Sequence, residues 1–190
     1  MRNDEAPLVM GGNTDNPVRD TAGLAAAAAR ASKKGPPPVH LWNPPFCGDL
    51  DIEIRKDGSW FYLGTPIGRP ELVRLFASIL KLEDDAYFLV TPVEKVGIRV
   101  QDAPFIAVDA EIGQDIVFTT NVGDVVTAGP DNAIVLRGTS DAPRPYVHVR
   151  RGLFALIDRK TFYRLAEAAA PDIDGRMILR SGGTNFPLEP

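Results

Sequence analysis

Histidine and cysteine are scarce in this 190-residue chain, and their scarcity removes several chemistries at once. His40 and His148 are the only imidazoles and Cys47 the only thiol, so a zinc site would need carboxylates in an unusual mixture. A single cysteine closes no internal disulfide, which suits a reducing compartment. No serine stands in a Gly-x-Ser-x-Gly elbow, and neither Gly-x-x-x-x-Gly-Lys nor Gly-x-Gly-x-x-Gly occurs. Carboxylates are plentiful, but no motif pairs them. These gaps favour a binding protein over an enzyme, and no catalytic residue, metal or cofactor is assigned. Long apolar runs are missing too. Nothing approaches the ~20 residues that cross a bilayer, and the alanine run Ala25 to Ala29 is short and weakly apolar. Asp4 and Glu5 beside Arg2 spoil a secretory leader, so a cytoplasmic protein without a membrane role is expected. Net charge is only -4, which argues against a nucleic-acid polymer as partner, because that binding rests on neutralising many phosphates.

What charge there is lies unevenly. Between Asp84 and Asp141 ten acidic residues face Lys95, Arg99 and Arg137, whereas from Arg144 to Arg164 six basic residues face Asp158 alone. Such juxtaposition focuses an anion or simply solvates a face. A phrase also occurs twice. Ile52 to Tyr62 followed by Arg69-Pro70-Glu71-Leu72-Val73-Arg74-Leu75-Phe76 parallels Val147 to Phe154 followed by Arg159-Lys160-Thr161-Phe162-Tyr163-Arg164-Leu165-Ala166. Each copy is a β-branched alternation ending in paired basic residues, a glycine turn, an aromatic strand and a helix opening Arg-x-x-Φ-x-Arg-Leu. This predicts an α+β protein of two related half-domains.

Taken in order, residues 1–38 read as a flexible tail. Gly11 to Pro17 form a loop, and a short alanine-rich helix runs from Asp20 or Thr21 to Ser32 with little to bury beyond Leu24. Residues 39–86 form the first domain: a proline-stiffened approach, a strand from Asp51 to Arg55, the tight turn Lys56-Asp57-Gly58, a return strand, and a helix over about 70–82 with Leu72, Leu75, Phe76, Ile79 and Leu80 on one stripe. From Tyr87 short strands alternate with turns, which implies a rolled antiparallel sheet or small barrel, capped by a helix from about Lys160 to Ala170. The second domain therefore spans 87–175, and residues 176–190 read as a closing tail.

The candidate site is expected where the halves meet. Arg69 and Arg159 sit at helix entrances, where the backbone's partial positive charge disfavours a cation. Either a protein carboxylate such as Asp57 or Asp102 pairs with each, or the arginines and helix N–H groups hold a phosphate or carboxylate. Tyr146, His148 and Arg150 share a strand face that is either surface or crevice. Trp42, Trp60, Tyr62 and Phe105 are core aromatics unless one, Trp42 first, is exposed to stack a ligand. Thr91, Glu94 and Lys95 form a turn near the junction.

Trp42-Asn43-Pro44-Pro45 with Cys47-Gly48, Asp57-Gly58-x-Trp60-x-Tyr62, Gly64-x-Pro66-Ile67-x-Arg69, Leu75-Phe76, Thr91-Pro92-Val93-Glu94-Lys95 and Asp102-Ala103-Pro104-Phe105 together resemble the bacterial domain of unknown function 1285 family over roughly residues 38–170. The resemblance implies a duplicated α+β core whose second half is similar to a pleckstrin-homology-like barrel with its C-terminal helix. It also implies a pocket between the halves, suspected of taking a nucleotide-like ligand in a signalling role. The leading expectation is thus a ligand-binding or sensory module holding a nucleotide or other small anion. Trp42, Asp57, Trp60, Arg69, Thr91, Glu94, Lys95, Asp102, Phe105, Tyr146, Arg150 and Arg159 are its candidate residues. A protein-interaction adaptor and a nucleotide hydrolase are the alternatives.

Overall fold

The computed structural model describes residues 21–139 and 141–188, and the loop expected at 11–17 lies outside them. The alanine run does form a helix, α1 (Thr21–Ala31), which lies on a second helix, α2 (Pro70–Ser78). Leu24, Ala27 and Ala28 are buried there. The helix thus buries more than Leu24, the residue the sequence reading singled out. Each alanine buries little surface, but a face of alanines lets two helix backbones approach closely.

The first six-stranded sheet is built from β1 (Phe46–Ile54), β2 (Trp60–Tyr62), β3 (Thr65–Pro66), β4 (Leu80–Glu83), β5 (Ala86–Val90) and β6 (Lys95–Val100), with α2 joining β3 to β4. Its spatial order is β3-β2-β1-β6-β5-β4. The β1–β6 pair is parallel and the other neighbours are antiparallel. The second sheet uses β7 (Phe105–Ile112), β8 (Ile116–Thr120), β9 (Val125–Thr127), β10 (Ile134–Thr139), β11 (Ala142–Arg150) and β12 (Leu153–Ile157), in the order β10-β11-β12-β7-β8-β9. Again one pair, β7–β12, is parallel. Counted from its own first strand, each sheet has the order 4-5-6-1-2-3. Each is two three-strand meanders joined by a parallel pair, curled into a half-barrel that stays open between its third and fourth strands.

The duplication expected from the sequence is therefore present as topology, but the repeated phrase is not its register. Residues 52–76 lie in strands one to three of the first unit and in α2. Residues 147–166 lie in strands five and six of the second and in α3 (Arg159–Ala168). Both stretches are a hairpin followed by a helix, and that local order needs the same residues wherever it occurs. Strand neighbours, which define the repeat, are a long-range property.

Three boundaries also move. Leu80 and Leu82, the expected end of the helix stripe, alternate into β4, so α2 stops at Ser78. Asp84 and Asp85, at φ 47° and 63°, form the β4–β5 hairpin turn, so 86/87 falls inside the first sheet and the units meet between Val100 and Phe105. The expected closing tail is a small third sheet of β13 (Ala170–Pro171), β14 (Met177–Ser181) and β15 (Thr184–Pro187). Ser181 fixes it to the second unit: its hydroxyl donates to the Ala128 carbonyl at 2.7 Å and accepts the Ile116 N–H at 2.8 Å. One hydrophobic cluster joins Ile52, Phe76 and Leu89 of the first unit to Phe105, Phe118, Leu153 and Leu165 of the second.

Candidate functional site

The two units are pinned where the β8–β9 turn meets the β1–β2 turn. Asn121 accepts the Ile106 N–H at 3.0 Å and donates from Nδ2 to the Gly58 carbonyl at 3.3 Å. Gly58 has φ 79° and faces this contact; a Cβ there would lie 2.6 Å from Ile106 Cγ1. Only glycine satisfies both the hairpin turn and the close docking.

Beside this pin the seam opens into a crevice of about 500 Å³. The first unit contributes Arg74 and Ala77 from α2, the second contributes the Val122–Asp124 turn and the β11–β12 hairpin with Arg150 and Arg151, and Pro36 and Pro37 close one side. Arg150 is committed to the fold. Its guanidinium is ion-paired to Asp124, donates to the Ala77 carbonyl at 2.9 Å and lies 4.8 Å from the Phe105 ring centre. Arg74 lies 3.8 Å from Glu71 on an open helix face, a pair of little strength in water. Arg151 has no ion-pair partner among the described residues. It stands at φ 47° beside Gly152 at φ 78°, the two positive-φ positions of a type I′ hairpin turn. The left-handed region is unfavourable for a side chain as large as arginine. His148 holds the turn from below: its Nε2 accepts the Gly152 N–H at 3.0 Å, so its Nδ1 carries the hydrogen donated to the Asp131 carbonyl at 2.7 Å. The hollow is lined by three cations and one acid, Asp124, with Glu71 paired to Arg74 from outside it, so positive charge is in excess there.

Of the residues expected at the seam, Arg150 lines this crevice and Phe105 lies buried beneath it. The rest disperse. Trp60 is core, stacked on Phe76 at 6.4 Å. Trp42, the first candidate had one of the aromatics been exposed, packs half-buried against the core, with its carbonyl accepting Lys81 at 3.1 Å. Asp57 caps its own hairpin by accepting from Ser59, which holds the carboxyl below its usual range. Asp102 takes Arg144 at 2.6 Å and the Tyr146 hydroxyl at 2.8 Å, so neither acid pairs with Arg69 or Arg159. Burial, followed by that bond, pushes the Tyr146 phenol up. Thr91 is buried and accepts the Glu94 N–H at 3.2 Å, while Lys95 joins Lys81 around Glu83, each Nζ at 2.6 Å. Glu94 is half-buried in that turn. Arg69 caps α2 without a side-chain hydrogen bond and lines a separate hollow of about 230 Å³ with Tyr62 and Leu72. Arg159 is the first residue of α3 and donates to the Tyr163 hydroxyl at 2.8 Å, beside another hollow of about 520 Å³. The true cap of α3 is Asp158, whose carboxylate accepts the Thr161 N–H at 2.7 Å. Among the described residues no three His, Cys, Asp or Glu side chains gather as metal ligands would, and no helix is long and apolar enough to cross a membrane.

Sequence reading missed Arg74 and Arg151 as site residues, although both stand in the repeated phrase. For Arg151 the signal available was an arginine before Gly152 in a two-residue hairpin loop that ordinarily takes Asn-Gly; Arg74 carried none.

Residues 37–103 match "Domain of unknown function (DUF1285), N-terminal domain", and residues 104–188 match "Protein of unknown function (DUF1285), C-terminal domain". Their shared border falls in the β6–β7 connection, where the sheets part. A DUF1285 family protein from Silicibacter pomeroyi DSS-3 is 57% identical, with 88% of this chain and 94% of that one covered at a TM-score of 0.81. The chain belongs to the DUF1285 family. A second member, from Shewanella baltica OS155, is 35% identical over 62% of this chain and 91% of its own, at a TM-score of 0.52. No curated protein matches the chain.

Proposed function

We propose that this DUF1285 protein is a ligand-binding module that takes a small anion in the seam crevice. The supporting observation is the convergence of Arg74, Arg150 and Arg151 from both units on one hollow whose lining holds one acidic residue, Asp124. Because each unit supplies part of the site, occupancy biases how the units sit together, which is what a sensory role requires. A nucleotide-like ligand, signalling, a cytoplasmic setting and the pleckstrin-homology-like reading of the second unit belong to this same proposal. The last rests on a helix following the final strand of a curled sheet.

Thermal-shift measurements against inorganic phosphate, pyrophosphate and nucleoside phosphates test it. The midpoint is expected to rise with ligand concentration well above the dissociation constant, and Arg74→Ala or Arg151→Ala is expected to remove the rise. A protein whose midpoint no anion moves would leave the adaptor reading in its place, with the basic Arg144 to Arg151 face as the contact. Product formed from a nucleoside phosphate would favour the hydrolase.

A further inference from the structure

The crevice does not end at Arg74. Beyond it lies a second hollow of about 250 Å³, floored by Trp60, Ile67, Pro70 and Val73 and bordered by Asn121. Arg74 belongs to both hollows. The residues α2 presents to the two are Pro70, Val73, Arg74, Ala77 and Ser78, spaced i, i+3, i+4, i+7 and i+8, hence a single stripe of one helix. The opposite wall is continuous as well, being the consecutive turn residues Asn121 to Asp124. A Cβ built at Gly123 would lie 4.0 Å from Arg74 Cδ, so the turn passes directly over the arginine. The two hollows are successive lengths of one groove. At 1.5 Å per residue, the stripe from 70 to 78 makes it about 12 Å long.

The ends differ in chemistry. The far end holds the free charge of Arg151 and the clamp Arg150–Asp124. The near arm is lined mainly by apolar side chains, and its two neutral polar side chains are engaged: the Asn121 amide bonds through both its oxygen and its nitrogen, and the Ser59 hydroxyl is given to Asp57. The Trp60 indole N–H is buried and without a partner among the described residues.

Resting on the anion-binding reading, we infer that the groove takes an elongated ligand, with a phosphate or carboxylate at Arg74 and Arg151 and a flat, weakly polar ring in the Trp60 arm. The arm grips that ring by its face and does not discriminate its edge, because it offers no free pattern of donors and acceptors. Purine and pyrimidine phosphates are therefore bound about equally, unlike at a site built to read a base.

Calorimetric titration of the full chain with inorganic phosphate, phenyl phosphate, AMP and CMP tests this. Burying one ring face predicts phenyl phosphate about tenfold tighter than phosphate, with AMP and CMP within about threefold of one another. In the Trp42→Phe protein Trp60 is the remaining indole, since the chain has Trp 2; its emission is expected to change with phenyl phosphate and not with phosphate. Gly68 lines the arm, and a Cβ built there meets nothing within 4 Å, so a larger residue can start into the arm without a backbone clash, and Gly68→Phe is expected to keep phosphate binding while abolishing the ring's advantage. Equal affinity for phosphate and phenyl phosphate with silent Trp60 emission would overturn the groove and leave the anion site standing. Failure of every probe to bind would instead overturn the anion site itself. A tenfold preference between AMP and CMP would refute the indifference to ring edge.

Discussion

Arg151 holds an unfavourable backbone conformation in order to present a charge. Asparagine suits the same turn position without that cost, so Arg151→Asn is expected to raise stability by up to about 1 kcal/mol in urea denaturation while losing the phosphate-induced shift. A protein both stabilised and still responsive to phosphate would remove Arg151 from the site. Asp124 works in the opposite sense, as the built-in anion that neutralises Arg150. Asp124→Asn should tighten phosphate several-fold and lower the melting midpoint, because it frees one cation and breaks a partly buried ion pair. Glu83 carries the clearest pH signature. Lys81 and Lys95, donating at 2.6 Å, hold its carboxyl below the ordinary range. A depressed folded value stabilises the native state above the unfolded value, and that contribution is lost as pH falls through the folded one. Glu83→Gln should therefore cost about 1 kcal/mol near neutrality and show a shallower loss of melting temperature on the acid side. Individual side chains were partly legible. The strand alternation flagged Arg150, but Arg74 and Arg151 are ordinary basic residues until the fold brings their elements to one seam.

At the scale of elements, glycine and proline signals were the readable part. Asp57-Gly58 announced its hairpin, and Pro70 announced the first turn of α2, where its missing N–H costs nothing. The helix end was not readable, since Ile79, Leu80 and Leu82 serve a helical stripe and a strand alternation equally well. Nor was the docking of α1, whose alanines look too small to anchor anything. Ala28 is fully buried, so Ala28→Leu is expected to overpack the α1–α2 contact and cost about 1–3 kcal/mol by denaturant titration. The β11–β12 hairpin supplies a second element-scale test. His148→Leu removes the acceptor of the Gly152 N–H and should cost about 1 kcal/mol, while weakening phosphate binding through the loosened position of Arg151.

Across the whole molecule, the two units share one core and are pinned through Asn121, so the chain is expected to unfold in a single cooperative calorimetric transition. Gly58→Ala should uncouple the units, lowering the transition and splitting it in two, because its Cβ would collide with Ile106 and Asn121 at 2.6 Å and 2.7 Å. A mere downward shift of one intact transition would place the pin elsewhere. Local pattern alone was enough to show the β1–β2 hairpin, the start of α2, most strands of the second unit and an α+β protein of two halves, because periodicity and glycine or proline turns act within a few residues. Only the tertiary structure decided that the repeat is one of sheet topology, that the units part at residue 100 to 105, and that Arg74, Arg150 and Arg151 share a crevice. Those facts depend on which strands pair across large sequence separations, and such pairing is set by packing of the common core.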